Sequence, residues 1–140
     1  MSGVLLDTNI FSELMRPAPA PPVRAYVETL EEAWISVITL HELRYGVARL
    51  NDGTRKQGLA DSLVQLEANY ADRILGVTNI IAGIAAKLRA SAEQDGYTLH
   101  LADALIAATA LSVDAAVATR DRSGFMPTGV DLIDPWAEGA

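Results

Sequence analysis

The chain has 140 residues, which is enough for one domain and too few for two. Hydrophobic residues make up 50% of it and charged residues 21%, which excludes a disordered chain. The absence of cysteine excludes disulfides, thiolate metal sites and thiol nucleophiles, and two histidines argue against a histidine-built metal site. The formal net charge of −7 has the wrong sign for a simple nucleic-acid binder, although a metal ion can bridge an acidic pocket to a phosphate.

The hydropathy pattern predicts no targeting or membrane-spanning segment. The first residues lack a basic region followed by a long apolar run. No stretch approaches the ~18 apolar residues that a membrane span needs. We therefore expect a cytoplasmic protein in which residues 1–140 form a single domain.

In chain order, short apolar runs alternate with segments of helical periodicity. The first run, Val4–Leu6, is apolar at successive positions, which is typical of a strand buried on both faces of a parallel sheet. Thr78 or Asn79 is predicted to cap the long helix after the third strand, and Thr98 the helix after that. The predicted strands cover residues 4–6, 33–37, 74–77, 115–119 and 130–133, and the predicted helices residues 10–15, 22–30, 38–50, 59–70, 79–95 and 99–111. This alternation predicts an α/β fold with a central parallel sheet of four to five strands flanked by helices.

Four acidic residues stand where a surface ion pair does not explain them. Asp7 and Asp121 follow the first and fourth predicted strands, and parallel α/β sheets bind ligands at the carboxyl ends of their strands. Glu42 and Asp103 lie on helices that follow predicted strands, and no Lys or Arg accompanies Asp103 between residues 89 and 120. The four acids are therefore expected at one place in the fold.

A carboxylate in apolar surroundings is costly unless a raised pKa, a cation from elsewhere in the fold or a metal ion compensates for its charge. Taken singly, Asp103 could pair with a distant arginine, and Asp7 could simply cap the following helix. Taken together, clustered acids without matching bases predict an all-oxygen site for Mg²⁺ or Mn²⁺. Such a site can activate water and stabilise the leaving oxygen in phosphodiester hydrolysis.

Four segments in this order resemble the PIN domain family, in particular the VapC toxins of bacterial toxin–antitoxin pairs and their relative FitB. The segments are LLDTNIFSEL around Asp7, ISVITLHELRYG around Glu42, LADALIAATA around Asp103 and VATRD ending at Asp121. A closing TGVDLIDPW is also typical of the group. The resemblance covers essentially the whole chain, from Val4 to Trp136.

The resemblance implies a Mg²⁺- or Mn²⁺-dependent endoribonuclease that is inhibited by a VapB-type antitoxin and is usually a homodimer. It also assigns roles to residues by their position in the motifs. The implied metal ligands and catalytic acids are Asp7, Glu42, Asp103 and Asp121, and the implied polar supports that orient them are Asn9 and Thr119.

The last motif departs from the family pattern. The family commonly has Thr-Arg-Asn, two further residues and then Asp-Phe, whereas this chain has TRDRSGF from Thr119 to Phe125. The acid therefore stands at the Asn position, and Gly124 stands where the family often has Asp. This departure leaves open whether the site holds one or two metal ions.

Basic and aromatic residues add further expectations. Arg16, Arg120 and Arg122 flank the predicted site and are candidates to contact RNA phosphates. Trp34 and Trp136 are expected in the core and in docking of the chain's tail. The antitoxin should offer a basic segment, because it has to neutralise an acidic pocket.

A second function stays open at this point. The chain could be a FitB-like PIN subunit that cleaves little or no RNA and instead binds its antitoxin partner and regulates through operator DNA. The departure at Gly124 is compatible with such a weakened site. Metal-dependent cleavage of RNA distinguishes the two functions.

Overall fold

A parallel sheet of five short strands lies at the centre of the computed structural model, which describes residues 3–138. The strands are β1 (Val4–Leu6), β2 (Ala33–Ser36), β3 (Ile74–Leu75), β4 (Ala116–Ala118) and β5 (Leu132–Ile133). Their order across the sheet is β3-β2-β1-β4-β5, and every adjacent pair is parallel. The register sets Leu5 of β1 opposite Trp34 on one side and Val117 on the other. The prediction of an α/β fold with four to five parallel strands is confirmed.

Six helices of seven or more residues account for the predicted helical segments. They are α1 (Thr8–Leu14), α2 (Pro21–Glu28), α3 (Val37–Ala48), α4 (Thr54–Asn69), α5 (Asn79–Gln94) and α6 (Leu101–Ser112). The sequence did not predict two four-residue helices, α7 (Arg122–Phe125) and α8 (Pro135–Glu138), or the 3-10 turns Ala71–Arg73 and Met126–Thr128. Segments this short carry too little periodicity to be recognised.

One predicted helix cap is wrong and another is confirmed. The Thr78 side chain accepts a hydrogen bond from the Ile81 amide and caps α5, so of the two predicted caps, Thr78 and Asn79, the first is the one that forms. Thr98 does not cap α6, which begins at Leu101 with His100 in the N-cap position and no side-chain cap bond. The reason lies at Leu99, which is buried and whose carbonyl accepts a hydrogen bond from Arg89 Nε at 3.2 Å. These contacts fix the chain in a connecting segment up to residue 100.

The sheet is buried on both faces. Leu5 and Leu6, whose side chains point to opposite faces, are both 0% exposed. Leu6 belongs to the core under α1 to α4, which includes Phe11, and Trp136 packs against this core. Leu5 belongs to the core under α6 and α7, and Trp34 packs against that one. Both faces being covered explains why the strands are continuous apolar runs rather than alternating patterns.

The carboxyl edge of the sheet is the point from which α1, α3 and α7 depart. β1 leads directly into Asp7 and α1, β2 into α3, and β4 into Thr119 and α7. Because β1 lies between β2 and β4, these exits are adjacent in space. Within residues 3–138, no helix combines the length and the hydropathy that crossing a membrane requires.

Candidate active site

Asp7 is a buried carboxylate at the end of β1. It is 6% exposed and serves as the N-cap of α1, with Oδ1 accepting a hydrogen bond from the Thr8 amide at 2.8 Å. Its other oxygen, Oδ2, accepts from Thr119 Oγ1 at 2.8 Å. Asp7 therefore does cap the following helix, as the sequence allowed, but only one of its two carboxylate oxygens makes the capping bond.

Thr119 and Asn9 connect Asp7 to the strand end of β4. Thr119 is 0% exposed, and its Oγ1 accepts from Asn9 Nδ2 at 3.1 Å and from the Asp121 amide at 3.0 Å while donating to Asp7. Asn9 Oδ1 in turn accepts from the Arg120 amide at 3.2 Å. The structure therefore brings together both predicted supports, and their polar groups point at Asp7 and at the backbone that carries Asp121.

Glu42 reaches the same place from α3. Thr8 Oγ1 donates a hydrogen bond to Glu42 Oε1 at 2.5 Å, and the same hydroxyl lies 3.3 Å from Thr39 Oγ1. Thr39 is 0% exposed, one turn before Glu42 on the same helix. Thr8 and Thr39 are polar supports that the sequence analysis missed, because a threonine beside an aspartate carries no distinctive pattern.

Asp103 and Asp121 meet across Gly124. Asp103 lies in the first turn of α6, and Asp121 is the N-cap of α7, where its Oδ1 accepts from the Gly124 amide at 3.3 Å. A methyl group built on Gly124 would lie 2.9 Å from Asp121 Oδ2 and 3.0 Å from Asp103 Oδ2. The two oxygens therefore converge on one point, and there is no room for a side chain at that point.

The four acids are close enough to affect one another's pKa. Burial raises the pKa of Asp7 from 3.8 to about 6, against the hydrogen bonds from Thr8 and Thr119, and the charges of Asp103 and Glu42 raise it further. Burial also raises the pKa of Asp103, followed by the charges of Asp121 and Glu42, while His100 lowers it. For both residues burial is the largest cause that raises the pKa, and repulsion by neighbouring carboxylates is the next.

No lysine or arginine within residues 3–138 forms an ion pair with these four acids, and His100 is the one base that lowers the pKa of Asp103. The ion pairs formed within residues 3–138 involve other acids, and none includes Asp7, Glu42, Asp103 or Asp121. The alternative in which Asp103 pairs with a distant arginine is therefore wrong. Donors that are all oxygen and carry uncompensated charge fit a hard divalent cation. In the described part of the chain, no three acidic or histidine side chains are arranged so that they could hold one metal ion together. The four carboxylates therefore form an acidic pocket and not a complete set of metal ligands.

The three candidate arginines have different surroundings. Arg16 pairs with Glu13 across 3.4 Å. The Arg120 guanidinium lies 5.0 Å from the centre of the Trp136 ring. Arg122 is exposed at the start of α7, and its side chain forms no hydrogen bond or ion pair within residues 3–138. Of the three, Arg120 is joined most directly to the acids through its backbone.

A family model of the PIN domain matches residues 4–125. The chain belongs to the PIN domain family. It is 40% identical over 136 residues to Toxin FitB of Neisseria gonorrhoeae, which covers 95% of this chain and 98% of that protein. It is 36% identical over 136 residues to VapC ribonuclease Y4jK of Sinorhizobium fredii, and the match covers 95% of this chain and 97% of that protein. The structure of FitAB bound to an IR36 DNA fragment is similar, with a TM-score of 0.88, 39% identity and 95% of both chains covered.

This PIN domain also has a groove that the sequence did not predict. It encloses about 650 Å³ between α1, α3 and α4, and Thr8 and Glu42 of the candidate site are among its lining residues. Arg16 and Arg55 also line it. Its apolar lining consists of Met15, Pro17, Leu43, Val47, Leu50 and Leu59. A groove between three helices arises from tertiary packing, which the periodicity of each helix alone does not reveal.

Proposed function

We propose that this PIN domain is the toxin of a toxin–antitoxin pair and acts as a metal-dependent endoribonuclease that hydrolyses RNA phosphodiester bonds. The observation that carries the proposal is the pocket of Asp7, Glu42, Asp103 and Asp121, whose carboxylates form no ion pair within residues 3–138. Relatives named Toxin FitB and VapC ribonuclease support it, at 40% and 36% identity over nearly the whole chain. We place this activity in the cytoplasm, where RNA is available.

We propose Mg²⁺ or Mn²⁺ as the cofactor, held by the same four carboxylates. When bound, the cation stabilises the negative charge that develops on the phosphate during hydrolysis. The chain's own contribution is orientation. Thr119 and Asn9 fix the Asp7 carboxylate, and Thr8 fixes that of Glu42.

We propose that a VapB-type antitoxin binds the groove between α1, α3 and α4. Its floor is apolar, and it adjoins the acidic pocket through Glu42. An antitoxin segment with an apolar face would fill the groove, and a basic residue after it, best an arginine, would neutralise the acidic pocket. The similar FitAB structure, which holds a partner and DNA, supports this assembly. Replacing Leu59, which lines the groove, by Asp should weaken antitoxin binding at least tenfold and leave RNA cleavage by the free toxin unchanged.

We also propose a homodimer, on the strength of apolar side chains exposed on α5 and α6. Ile80 is 73% exposed and Leu101 is 55% exposed, and Tyr97 between the two helices is 61% exposed. Burying these side chains against a second copy of the chain would remove apolar surface from water. Light scattering on the free chain should give twice the monomer mass.

The second candidate function is a subunit that binds its antitoxin and DNA with little cleavage. The similar FitAB structure bound to DNA favours it. Gly124, which stands where the family often has an acid, is a further point in its favour. In this case the acids would contribute to partner binding alone, and Asp103→Asn would change antitoxin affinity without any cleavage to lose.

One experiment separates the two functions. Purified, antitoxin-free protein is incubated with a pool of structured RNA in Mg²⁺, Mn²⁺ or EDTA, beside Asp103→Asn and the surface variant Asp72→Asn. We expect cleavage that needs metal, disappears in Asp103→Asn and persists in Asp72→Asn. Absence of cleavage by folded protein under all conditions would contradict the nuclease and favour the binding subunit.

A further inference from the structure

Arg120 and Trp136 follow neighbouring strands at the carboxyl edge of the sheet. β4 and β5 pair in register at Ala118 and Ile133, and the Thr119 amide continues this pairing by donating to the Ile133 carbonyl at 2.9 Å. Arg120 is the next residue after Thr119, and Trp136 lies in α8 just beyond β5. The strand pairing thus places the guanidinium over the indole ring, 5.0 Å from its centre.

The backbone of Arg120 is part of the acidic site, but its side chain is not paired with an acid. The Arg120 amide donates to Asn9 Oδ1, and its chain neighbours are Thr119 and Asp121. Within residues 3–138 the guanidinium forms no ion pair, and its one recorded side-chain contact is with the Trp136 ring. Its contact with Trp136 is made through the ring face, which consumes none of its N–H donors. Arg120 is therefore an exposed arginine with free donors whose backbone belongs to the acidic site.

Trp136 is a fixed platform for this arginine. It is half-buried and packs against the core that contains Leu6 and Ala118. Its amide donates to Asp134 Oδ1 at 3.0 Å, which starts α8, and α8 packs against α2. A guanidinium resting on such a ring has fewer conformations to lose when it binds an anion than a free surface arginine has.

We propose that Arg120 binds the RNA phosphate at the acidic pocket and that Trp136 is the positioning residue that holds its guanidinium there. This inference rests on the proposed nuclease function and names a residue that recognises the substrate backbone. The positive charge of Arg120 would also add to that of a bound metal ion in attracting RNA to a pocket of four acids. Arg16, by contrast, is already paired with Glu13.

The test measures binding of a short, mixed-sequence, fluorescein-labelled single-stranded RNA as a function of salt. All variants carry Asp103→Asn, so that the RNA stays intact. Losing one phosphate contact lowers the slope of log affinity against log salt by about one. We expect this reduction in Arg120→Ala and a smaller one in Trp136→Leu, with Trp136→Phe closer to the parent because it keeps an aromatic face.

Arg73 provides a matched control. Its guanidinium lies 4.8 Å from the centre of the Tyr70 ring, so it is also an arginine on an aromatic side chain. It precedes β3 and therefore lies at the amino edge of the sheet, away from the acids. Arg73→Ala should leave the salt slope unchanged.

The outcomes separate this inference from the function on which it rests. If the wild-type chain cleaves RNA and Arg120→Ala keeps the parent's salt slope, the role of Arg120 is wrong and the nuclease stands. If Arg120→Ala lowers the slope and Trp136→Leu, still folded, does not, the positioning role of Trp136 is wrong. If the wild-type chain does not cleave RNA and the parent does not bind it, both the inference and the proposed function are overturned.

Discussion

Thr119 Oγ1 donates a hydrogen bond to Asp7 Oδ2 across 2.8 Å, between residues that are 112 positions apart in the chain. The contact exists because β1 and β4 are parallel neighbours whose carboxyl ends coincide. Both side chains are buried, so water cannot replace the bond if either partner is removed. The order of strands in the sheet thus determines the orientation of a candidate metal ligand.

Replacing Thr119 by Val should destabilise the protein and impair cleavage together. The valine preserves shape but leaves the Asp121 amide without its partner, and it leaves Asp7 Oδ2 with only the longer bond from Asn9 Nδ2 at 3.4 Å. The free energy of unfolding should therefore fall by about 1–3 kcal/mol. Urea unfolding and RNA cleavage measure the two effects. Thr119→Ser keeps the hydroxyl and should recover most of both.

Thr109 is the control for that substitution. It is also 0% exposed, but its hydroxyl donates to the Leu105 carbonyl in its own helix. That carbonyl is already part of the helical hydrogen bonding, so Thr109→Val should cost less than Thr119→Val. Equal stability of Thr119→Val and Thr119→Ser would contradict the role of the hydroxyl.

The raised pKa of Asp7 predicts a pH-dependent penalty in metal-free protein. The unfolded carboxyl ionises near 3.8 and the folded one near 6, so ionisation favours the unfolded chain. The penalty is absent below about pH 4, grows between the two pKa values and is complete above about pH 6. In EDTA, Asp7→Asn should therefore be more stable than wild type at pH 7, by on the order of 1–3 kcal/mol.

Unfolding at a series of pH values checks this sign. The difference between Asp7→Asn and wild type should close as the pH falls towards 4. Asp72→Asn, at an exposed position, should show no such trend. A wild type that is more stable than Asp7→Asn at pH 7 in EDTA would mean that the hydrogen bonds to Asp7 outweigh its burial.

Gly124 predicts a steric limit within the acidic pocket. A Cβ at this position would approach Asp121 Oδ2 and Asp103 Oδ2 to about 3 Å, so Gly124→Ala has to push the two carboxylates apart. We expect kcat/KM for RNA cleavage to fall several-fold while the fold persists. Gly83→Ala in α5, where a Cβ meets nothing within 4 Å, should instead leave cleavage unchanged and stabilise the helix by about 0.5–1 kcal/mol.

The sequence predicted the sheet and the six longer helices because their signals are local. The three successive apolar residues of Val4–Leu6 by themselves indicate a buried strand, and the alternation of strands and helices predicts parallel pairing. The motifs then placed Asp7 and Asp121 at strand ends, since a strand end is also a local property. This is why the structure could bring the predicted acids together.

The parts that were missed depend on contacts between distant segments. Thr8 is a support only because Glu42 of another helix accepts its hydroxyl. The start of α6 was misplaced because Arg89, on the preceding helix, holds the Leu99 carbonyl. The groove and the contact between Arg120 and Trp136 likewise arise from packing between elements. No periodicity within one element indicates such partners.

Titration calorimetry with Mn²⁺ tests most directly whether the four acids form a metal site. We expect the wild-type chain to bind Mn²⁺, Asp103→Asn to bind it at least tenfold more weakly, and Asp72→Asn to bind it as the wild type does. The acidic pocket should then also gain stability from the ion by mass action. No Mn²⁺ binding by folded wild-type protein, or equal binding by Asp103→Asn, would contradict the account.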